Sequence, residues 1–191
     1  MQRYVDRVLI SQQRIAERVG ELAAQITADH SAPTLPDARE ITIVPILTGA
    51  MIFAGDLIRK IPIPMKIGLL TVSSYPGQNI RTQGSQLISQ QLGRIEGQHV
   101  LLVDDILDSG GTIRLVRSIL QDLGAATVRT CVLLRKDRLD ARDVVADYVG
   151  FEIPDEFVVG YGLDYDDYFR NLPDIVTLKP DILTAKIGEG K

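Results

Sequence analysis

The sequence predicts an α/β fold in which a mainly parallel central sheet is flanked by helices. Short apolar runs such as 41–47 and 100–104 alternate with amphipathic stretches, which is the order of strand–helix–strand units. These runs are apolar throughout rather than at every second residue, as is typical of strands buried on both faces. A length of 191 residues suits one domain with a complete core, so a single domain over 1–191 is expected.

Each element is predicted from apolar spacing and from the residues that interrupt it. Ile15, Val19, Leu22 and Ile26 recur at helical spacing, and Ser11 precedes them as a candidate N-terminal cap. Prolines and glycines between the apolar runs predict loops. In chain order, the predicted segments are a helix at 11–27, a loop at 30–39, a strand at 41–47, a helix at 50–59, strands at 65–72, 86–92 and 100–104, a helix at 113–123, and strands at 128–134 and 157–160.

Composition excludes several classes of partner. A net charge of −4 gives a nucleic acid no general electrostatic attraction, so no nucleic-acid partner is expected. The single cysteine, Cys131, lies in an apolar run, which predicts a buried strand residue and fits a reducing compartment. A signal-peptide pattern is missing, and no apolar run approaches the about 20 residues of a membrane span. A cytoplasmic protein without a membrane partner is therefore expected.

Three predicted loops follow strands, at the sheet edge where parallel sheets bind their ligands. They are Thr48–Gly49, Asp104–Thr112 and the segment after Val159. The second is the most informative, because an apolar strand runs into two adjacent acids, and a third, Asp108, then precedes Ser-Gly-Gly-Thr. This loop lacks the lysine of a Walker motif and the third glycine of a dinucleotide fingerprint.

The chemistry of the Asp104–Thr112 loop favours a sugar phosphate. Glycine-rich backbone and hydroxyls before a helix offer hydrogen-bond donors to an anion. The adjacent carboxylates would repel a bare phosphate, but they suit sugar hydroxyls or a metal ion near them. Each acid alone could instead be a helix-flanking residue, since acids near helix N-termini are common.

The run VLLVDDILDSGGT, residues 100–112, resembles the phosphoribosyl-pyrophosphate motif of type I phosphoribosyltransferases. Residues 5–26, VDRVLISQQRIAERVGELAAQI, resemble the N-terminus of bacterial hypoxanthine-guanine phosphoribosyltransferases, and 149–173, VGFEIPDEFVVGYGLDYDDYFRNLP, resemble their purine-binding segment. The resemblance spans 4–178. It implies the type I phosphoribosyltransferase fold, which is a mainly parallel central sheet flanked by helices, with a small hood and a mobile catalytic loop.

The activity implied by this resemblance is a glycosyl transfer in purine salvage. A 5-phosphoribosyl group would pass from phosphoribosyl pyrophosphate to hypoxanthine or guanine, giving IMP or GMP and pyrophosphate, with Mg²⁺ as cofactor. Two alternatives stay open: a transferase that acts on xanthine, and a regulatory protein that senses phosphoribosyl pyrophosphate or a nucleotide. A sensor would not need all of Asp108, Lys136, Phe157 and Asp164, which are present together.

On the donor side, the resemblance assigns Asp104 and Asp105 to the ribose hydroxyls, directly or through the metal. Many relatives have glutamate at the first position, and the alternative is that Asp104 faces back into the protein. Relatives often have lysine where Gly111 stands, but the main-chain donors do not depend on it. The resemblance assigns the 5′-phosphate to Ser109, Gly110, Gly111 and Thr112.

On the acceptor side, Asp108 resembles the residue beside the purine imidazole ring, where a carboxylate can act as general base or acid; a helix-capping role is compatible. Lys136 resembles the lysine that donates to the 6-oxo group, which would disfavour adenine because an ammonium cannot accept from an amino group. Because Arg135 is adjacent, it stays open which of the two residues aligns with the family's lysine. Phe157 resembles the aromatic residue that stacks on the base, and Val158 the position whose backbone meets the base edge.

The leaving pyrophosphate and the metal are assigned in the same way. Asp164 resembles a Mg²⁺ ligand, alongside the Asp104–Asp105 pair, since Mg²⁺ takes oxygen ligands. Arg170 and the Thr48–Gly49 loop resemble pyrophosphate contacts. Relatives commonly have lysine where Thr48 stands, and they carry a cis peptide in this loop.

Residues 72–91 match the position of the family's mobile catalytic loop, with Ser74 and Tyr75 at the matching point. A closing loop would protect a carbocation-like centre from water. A simple long hairpin is the alternative. Because relatives form dimers and tetramers, the resemblance also implies a homodimer or homotetramer.

Overall fold

A seven-stranded sheet forms the centre of the computed structural model, which describes residues 2–31, 40–73 and 86–184. The strands are β1 (Val5–Ile10), β2 (Ile41–Leu47), β3 (Met65–Ile67), β4 (Leu69–Ser73), β5 (Gln86–Gln91), β6 (His99–Leu107), β7 (Thr127–Lys136), β8 (Tyr148–Ile153), β9 (Val158–Val159) and β10 (Ile175–Leu178). The α-helices are α1 (Gln12–Ser31), α2 (Met51–Ile58), α3 (Gly111–Asp122) and α4 (Pro180–Thr184).

The central sheet is mainly parallel, as the sequence predicts. Its strand order is β5-β4-β2-β6-β7-β8, and β3 also pairs with β2. β2, β6, β7 and β8 run parallel, whereas β5 is antiparallel to β4. The carboxyl ends of β2, β6 and β7 therefore meet at one edge of the sheet.

Helices cover both faces of this sheet, which explains why its strands are apolar throughout. Leu101 and Val103 of β6 pack in one buried cluster with residues of α1 and α2. Val100 and Leu102, which alternate with them, pack in a second cluster with residues of α3. Cys131 of β7 is buried as predicted, and burial raises the pKa of its thiol.

A second, three-stranded antiparallel sheet has the order β1-β10-β9 and matches the expected small hood. Ile10 of β1 and Ile175 of β10 belong to the same buried cluster as α1 and α2, so this sheet packs on that side of the molecule. The strand predicted at 157–160 is shorter, Val158–Val159, and it lies in this small sheet rather than in the parallel one. That residues 1–191 form a single domain stays a prediction.

Several predicted boundaries are wrong for identifiable reasons. The strand at 65–72 is divided at Gly68, whose N–H donates to the carbonyl of Ile43 and whose missing Cβ leaves room for Leu92. The strand predicted to end at Asp104 continues to Leu107, because its pairing with β7 continues. The helix predicted at 11–27 continues to Ser31, and Ser11 caps it as expected by accepting the Arg14 N–H at 3.3 Å.

The remaining bounds are close to those predicted. Helix α2 lies within the predicted 50–59, and α3 begins two residues before the predicted start at 113. Strands β1, β8 and β10 were not predicted. Across the described ranges, none of the helices combines the length and the apolar character that crossing a membrane requires.

His30, near the end of α1, is a buried histidine whose Nδ1–H donates to the Ile26 carbonyl at 2.8 Å. Burial lowers the pKa of His30 below its ordinary 6.5; Arg129 also lowers this pKa, while the Ile26 hydrogen bond and Asp29 raise it. Since the unfolded chain takes up the proton first, this histidine's contribution to the free energy of unfolding is complete above about pH 6.5 and falls as the pH is lowered.

Between about pH 7.5 and 5.5, loss of this contribution should lower the free energy of unfolding of the wild type, measured in urea, relative to that of a protein without His30. A His30→Gln variant keeps a donor for the Ile26 carbonyl but does not titrate, so its decline should be shallower. Equal declines in the two proteins would contradict the role given to His30.

Candidate active site

The candidate site begins where β6 and β7 end beside one another. In the parallel register, Leu107 of β6 pairs with Arg135 of β7, so the residues that follow, Asp108 and Lys136, are neighbours. Lys136 Nζ lies 3.3 Å from Asp108 Oδ2. Arg135 pairs instead with Glu152 on β8, and Lys136 is therefore the cation that faces Asp108.

Two further residues complete a cluster of four alternating charges. Asp155 Oδ1 lies 3.3 Å from Lys136 Nζ, and Asp155 Oδ2 lies 3.1 Å from an Arg138 guanidinium nitrogen. Arg138 Nε also lies 3.3 Å from Asp108 Oδ1. The Lys136 side chain is only 10% exposed, so its ammonium is held by carboxylates rather than by water. Asp155 and Arg138 were not singled out from the sequence, although Asp155 lies in the purine-segment resemblance.

The candidate phosphate loop follows Asp108 and leads into α3. Gly110 caps the helix with φ of +78°, and a Cβ there would lie 2.5 Å from Val144 Cγ2, so both the conformation and the space require glycine. Gly110 has no side chain that could cap the first turn of α3, and a helix N-terminus is a place where main-chain N–H groups donate to anions. Ser109 is exposed, and Gly111 and Thr112 are half-buried in the first turn.

The acid pair lies inside β6 rather than in a loop. Asp104 is 5% exposed, and its Oδ1 accepts the N–H of Asp105 at 3.1 Å. Burial and the neighbouring Asp105 carboxylate raise the pKa of Asp104 well above its ordinary value. Burial also raises the pKa of Asp105, while the hydrogen bonds it accepts and the attraction of Arg170 lower it. The burial of Asp104 favours the alternative that it faces into the protein, and a ribose contact through it stays a prediction.

Asp105 contacts the Thr48–Gly49 loop at the end of β2. A Cβ at Gly49 would lie 2.0 Å from Asp105 Oδ2, so only glycine fits there. Gly162, with φ of +106°, approaches from the other side, since a Cβ on it would lie 2.2 Å from the Gly49 carbonyl oxygen. The Leu47–Thr48 peptide bond is cis. The loop is thus enclosed between β6 and the segment around Gly162.

Arg170 ties this last segment together. Its guanidinium donates to the Gly162 carbonyl at 2.8 Å and pairs with Asp164 Oδ1 at 2.8 Å and Asp167 Oδ1 at 3.0 Å. Asp164 Oδ2 also accepts the N–H of Asp167 at 2.9 Å. The predicted pyrophosphate contact and the predicted metal ligand are therefore paired with each other, next to the Gly49 loop.

Phe157 and Val158, the residues predicted to contact the base, closely follow Asp155 of the charged cluster along the chain after β8. Phe157 is 45% exposed, and its ring meets that of Tyr165 edge to face at 5.6 Å between centroids. Val158 is buried and pairs with Thr177 in the small sheet. Ser74 and Tyr75, the residues expected in the mobile catalytic loop, lie outside the described residues.

Comparison with known proteins identifies the family of this chain. The sequence profile described as the phosphoribosyl transferase domain matches residues 8–166. The hypoxanthine-guanine phosphoribosyltransferase of Mycobacterium tuberculosis is 38% identical over 93% of this chain and 88% of its own length. The hypoxanthine phosphoribosyltransferase of Haemophilus influenzae is 42% identical over 86% of this chain and 90% of its own length.

Solved structures give the same result for the fold. The crystal structure of a hypoxanthine phosphoribosyltransferase from Staphylococcus aureus superposes with a TM-score of 0.87, at 37% identity, with 97% of each chain covered. The chain therefore belongs to the phosphoribosyltransferase family of enzymes, within its hypoxanthine-guanine group. The expected type I phosphoribosyltransferase fold is confirmed.

Substitutions at two glycines, Gly49 before α2 and Gly55 within it, test the close contact between the Thr48–Gly49 loop and Asp105. Gly49→Ala places a methyl group against Asp105, whose other oxygen already accepts the Ile106 N–H at 2.9 Å. We expect the free energy of unfolding to fall by about 1–3 kcal/mol because this contact is overpacked. Gly55→Ala is the matched control: Gly55 lies inside a helix, and apart from its chain neighbours and the backbone of that helix no described heavy atom lies within 4 Å of its Cβ position.

The Gly55→Ala change should therefore raise the free energy of unfolding by about 0.5–1 kcal/mol. Urea unfolding of both variants measures the difference. If Gly49→Ala stabilises the protein as much as Gly55→Ala does, the close approach of Asp105 to the loop is wrong.

Proposed function

We propose that this enzyme transfers the 5-phosphoribosyl group of phosphoribosyl pyrophosphate to hypoxanthine or guanine, in a Mg²⁺-dependent reaction of purine salvage. The products are IMP or GMP and pyrophosphate. One observation carries the proposal: the Asp108–Lys136 pair lies directly beside a glycine-capped helix N-terminus. A carboxylate and an ammonium suited to a 6-oxopurine thus lie next to an anion site suited to a sugar phosphate.

The phosphoribosyl donor is held by the loop and by the acids behind it. Main-chain N–H groups of Ser109–Thr112 and the hydroxyls at its two ends donate to the 5′-phosphate. Asp105, which reaches the Gly49 loop, is the better placed of the acid pair to accept from the ribose hydroxyls. Arg170 supplies positive charge for the pyrophosphate, and the Thr48–Gly49 backbone supplies donors without a charge.

The purine is selected by groups that distinguish an oxygen from an amino group. The Lys136 ammonium donates to the 6-oxo oxygen. It has no lone pair with which to accept a hydrogen bond from the amino group of adenine. The exposed ring of Phe157 stacks on the base, and the backbone at Val158 meets its edge. Asp155 keeps Lys136 from pairing with Asp108 alone.

Asp108 moves the proton that the reaction releases. The C1′–oxygen bond to pyrophosphate breaks as a purine ring nitrogen bonds to C1′. The imidazole ring then carries one proton too many, and the Asp108 carboxylate accepts it as general base. Fixed placement of base, ribose and leaving group supplies much of the remaining rate enhancement.

The acids present fit a magnesium ion that arrives with the substrate. Within the described ranges, no three His, Cys, Asp or Glu side chains are grouped to hold a metal. Mg²⁺ commonly takes one or two carboxylates and completes its shell with substrate phosphates and water. Asp164 and Asp105 are the proposed direct ligands, the buried Asp104, which accepts the N–H of Asp105, would act through Asp105, and the bound ion would neutralise charge on the leaving pyrophosphate. A homodimer or homotetramer in the cytoplasm also belongs to this proposal.

The function is tested by incubating the protein with Mg²⁺, phosphoribosyl pyrophosphate and each of hypoxanthine, guanine, xanthine and adenine. Nucleotide and pyrophosphate should form with hypoxanthine and guanine and not with adenine, and chelation of the metal should stop the reaction. The xanthine arm decides the alternative substrate. Binding of phosphoribosyl pyrophosphate without turnover of any base would support a sensor and overturn the enzyme proposal.

The Asp108→Asn variant tests the general base. An amide cannot accept the proton, so kcat should fall by about 100-fold or more, well beyond any change in KM. Asp155→Asn is the matched control, since it removes the other carboxylate of the same cluster and should lower kcat less. If kcat of Asp108→Asn stays within about twofold of the wild type, roughly 0.4 kcal/mol of barrier, the proton-transfer role is wrong.

A further inference from the structure

An ion pair behind the candidate phosphate loop has no part in the chemistry above. Arg114, on the first turn of α3, donates from one guanidinium nitrogen to the Ser109 carbonyl at 3.0 Å. The other two nitrogens of its guanidinium contact both carboxylate oxygens of Asp143, at 3.2 and 2.6 Å. Arg114 thus joins the loop to the segment that follows β7.

The direction of one peptide plane follows from this contact. The carbonyl and the N–H of a trans peptide point in opposite directions. Because Arg114 holds the Ser109 carbonyl on the Asp143 side, the N–H of Gly110 is directed to the opposite side. A carbonyl oxygen rotated toward a bound phosphate would repel it, whereas an N–H group would bind it.

The same segment supports the loop at two more points. Val144 occupies the space in which a Cβ of Gly110 would lie, with its Cγ2 2.5 Å from that position. The Val145 carbonyl accepts a hydrogen bond of 3.1 Å from Arg117, one turn further along α3. Three consecutive residues, 143–145, therefore contact the loop or its helix.

We propose that Arg114 and Asp143 are positioning residues for the 5′-phosphate subsite, acting through the Ser109–Gly110 peptide. This inference rests on the proposed function, in which that loop binds the phosphate of the donor. Arg114 fixes the peptide, and Asp143 fixes the guanidinium bidentately, a geometry that lysine does not reproduce. Neither side chain needs to touch the substrate.

The alternative is that Arg114 itself binds the phosphate. The two roles predict opposite changes in phosphate affinity when Asp143 is removed. If Arg114 is a direct ligand, removing Asp143 frees its guanidinium and tightens phosphate binding. If Arg114 positions the loop, removing Asp143 loosens the guanidinium and weakens phosphate binding. The partner residue thus decides between the two roles.

The test compares two ligands that occupy different subsites. Dissociation constants of ribose 5-phosphate and of pyrophosphate are measured by calorimetry for the wild type, Arg114→Ala and Asp143→Ala. Both variants should bind ribose 5-phosphate about fivefold more weakly, as expected for loss of a partly exposed ion pair. Their affinity for pyrophosphate should not change. The double variant should be no worse than either single one, because the two side chains act as one unit.

Two controls separate positioning from loss of fold. Arg14→Ala removes an exposed arginine whose ion-pair partner, Glu17, is on the same helix α1, and it should leave both affinities unchanged. Arg114→Lys keeps a donor for the Ser109 carbonyl and should recover part of the lost affinity. Thermal unfolding of each variant shows whether it is folded.

Tighter binding of ribose 5-phosphate by Asp143→Ala would overturn the proposal, and so would equal weakening of both ligands in Arg114→Ala. Unchanged affinity in both single variants would also overturn it. Failure of the proposed function is distinguishable, because it is read from turnover of the wild type, whereas these affinities need no turnover. A wild type that does not bind ribose 5-phosphate contradicts this inference even if nucleotide forms.

Discussion

The parallel pairing of β6 with β7 is the constraint on which the rest of the site depends. Its register runs from His99 beside Thr127 to Leu107 beside Arg135, through strands buried on both faces. A shift of one residue would exchange the faces of one strand and expose its apolar residues. It would also place Arg135 where Lys136 stands. The core therefore fixes the register, and the register fixes the pair of charges at the strand ends.

Close approach at three glycines constrains parts of the pocket. Gly49 lies against Asp105, Gly162 lies against the Gly49 carbonyl, and Gly110 lies against Val144. Arg170 then holds the Gly162 carbonyl and Asp164 together. The Thr48–Gly49 loop is thus in contact with the Asp105 side chain and with the backbone at Gly162, whereas Gly110 is in contact with the Val144 side chain, so a side chain added at any of these glycines displaces a neighbour.

Local sequence pattern predicted the elements whose signals are local. The helical spacing in α1, the buried strand around Cys131 and the loop before α3 were all apparent from neighbouring residues. The strand β6 was ended too early because acids usually indicate a loop, whereas pairing with β7 carries it to Leu107. Strands β1 and β10 pair across most of the chain length, and the charges of β1 hid its strand character. Asp155 joins Lys136 only through tertiary structure, so spacing alone did not reveal it.

The proposal that Asp108 and Lys136 act together on one base can be tested with a double-mutant cycle. kcat/KM for hypoxanthine is measured for the wild type, Asp108→Asn, Lys136→Met and the double variant. The two losses should be non-additive, with a coupling free energy of about 1 kcal/mol or more, since the side chains contact each other and both are proposed to contact the same ring. Losses that add to within about 0.3–0.5 kcal/mol would show that the two residues act independently and would contradict their joint role.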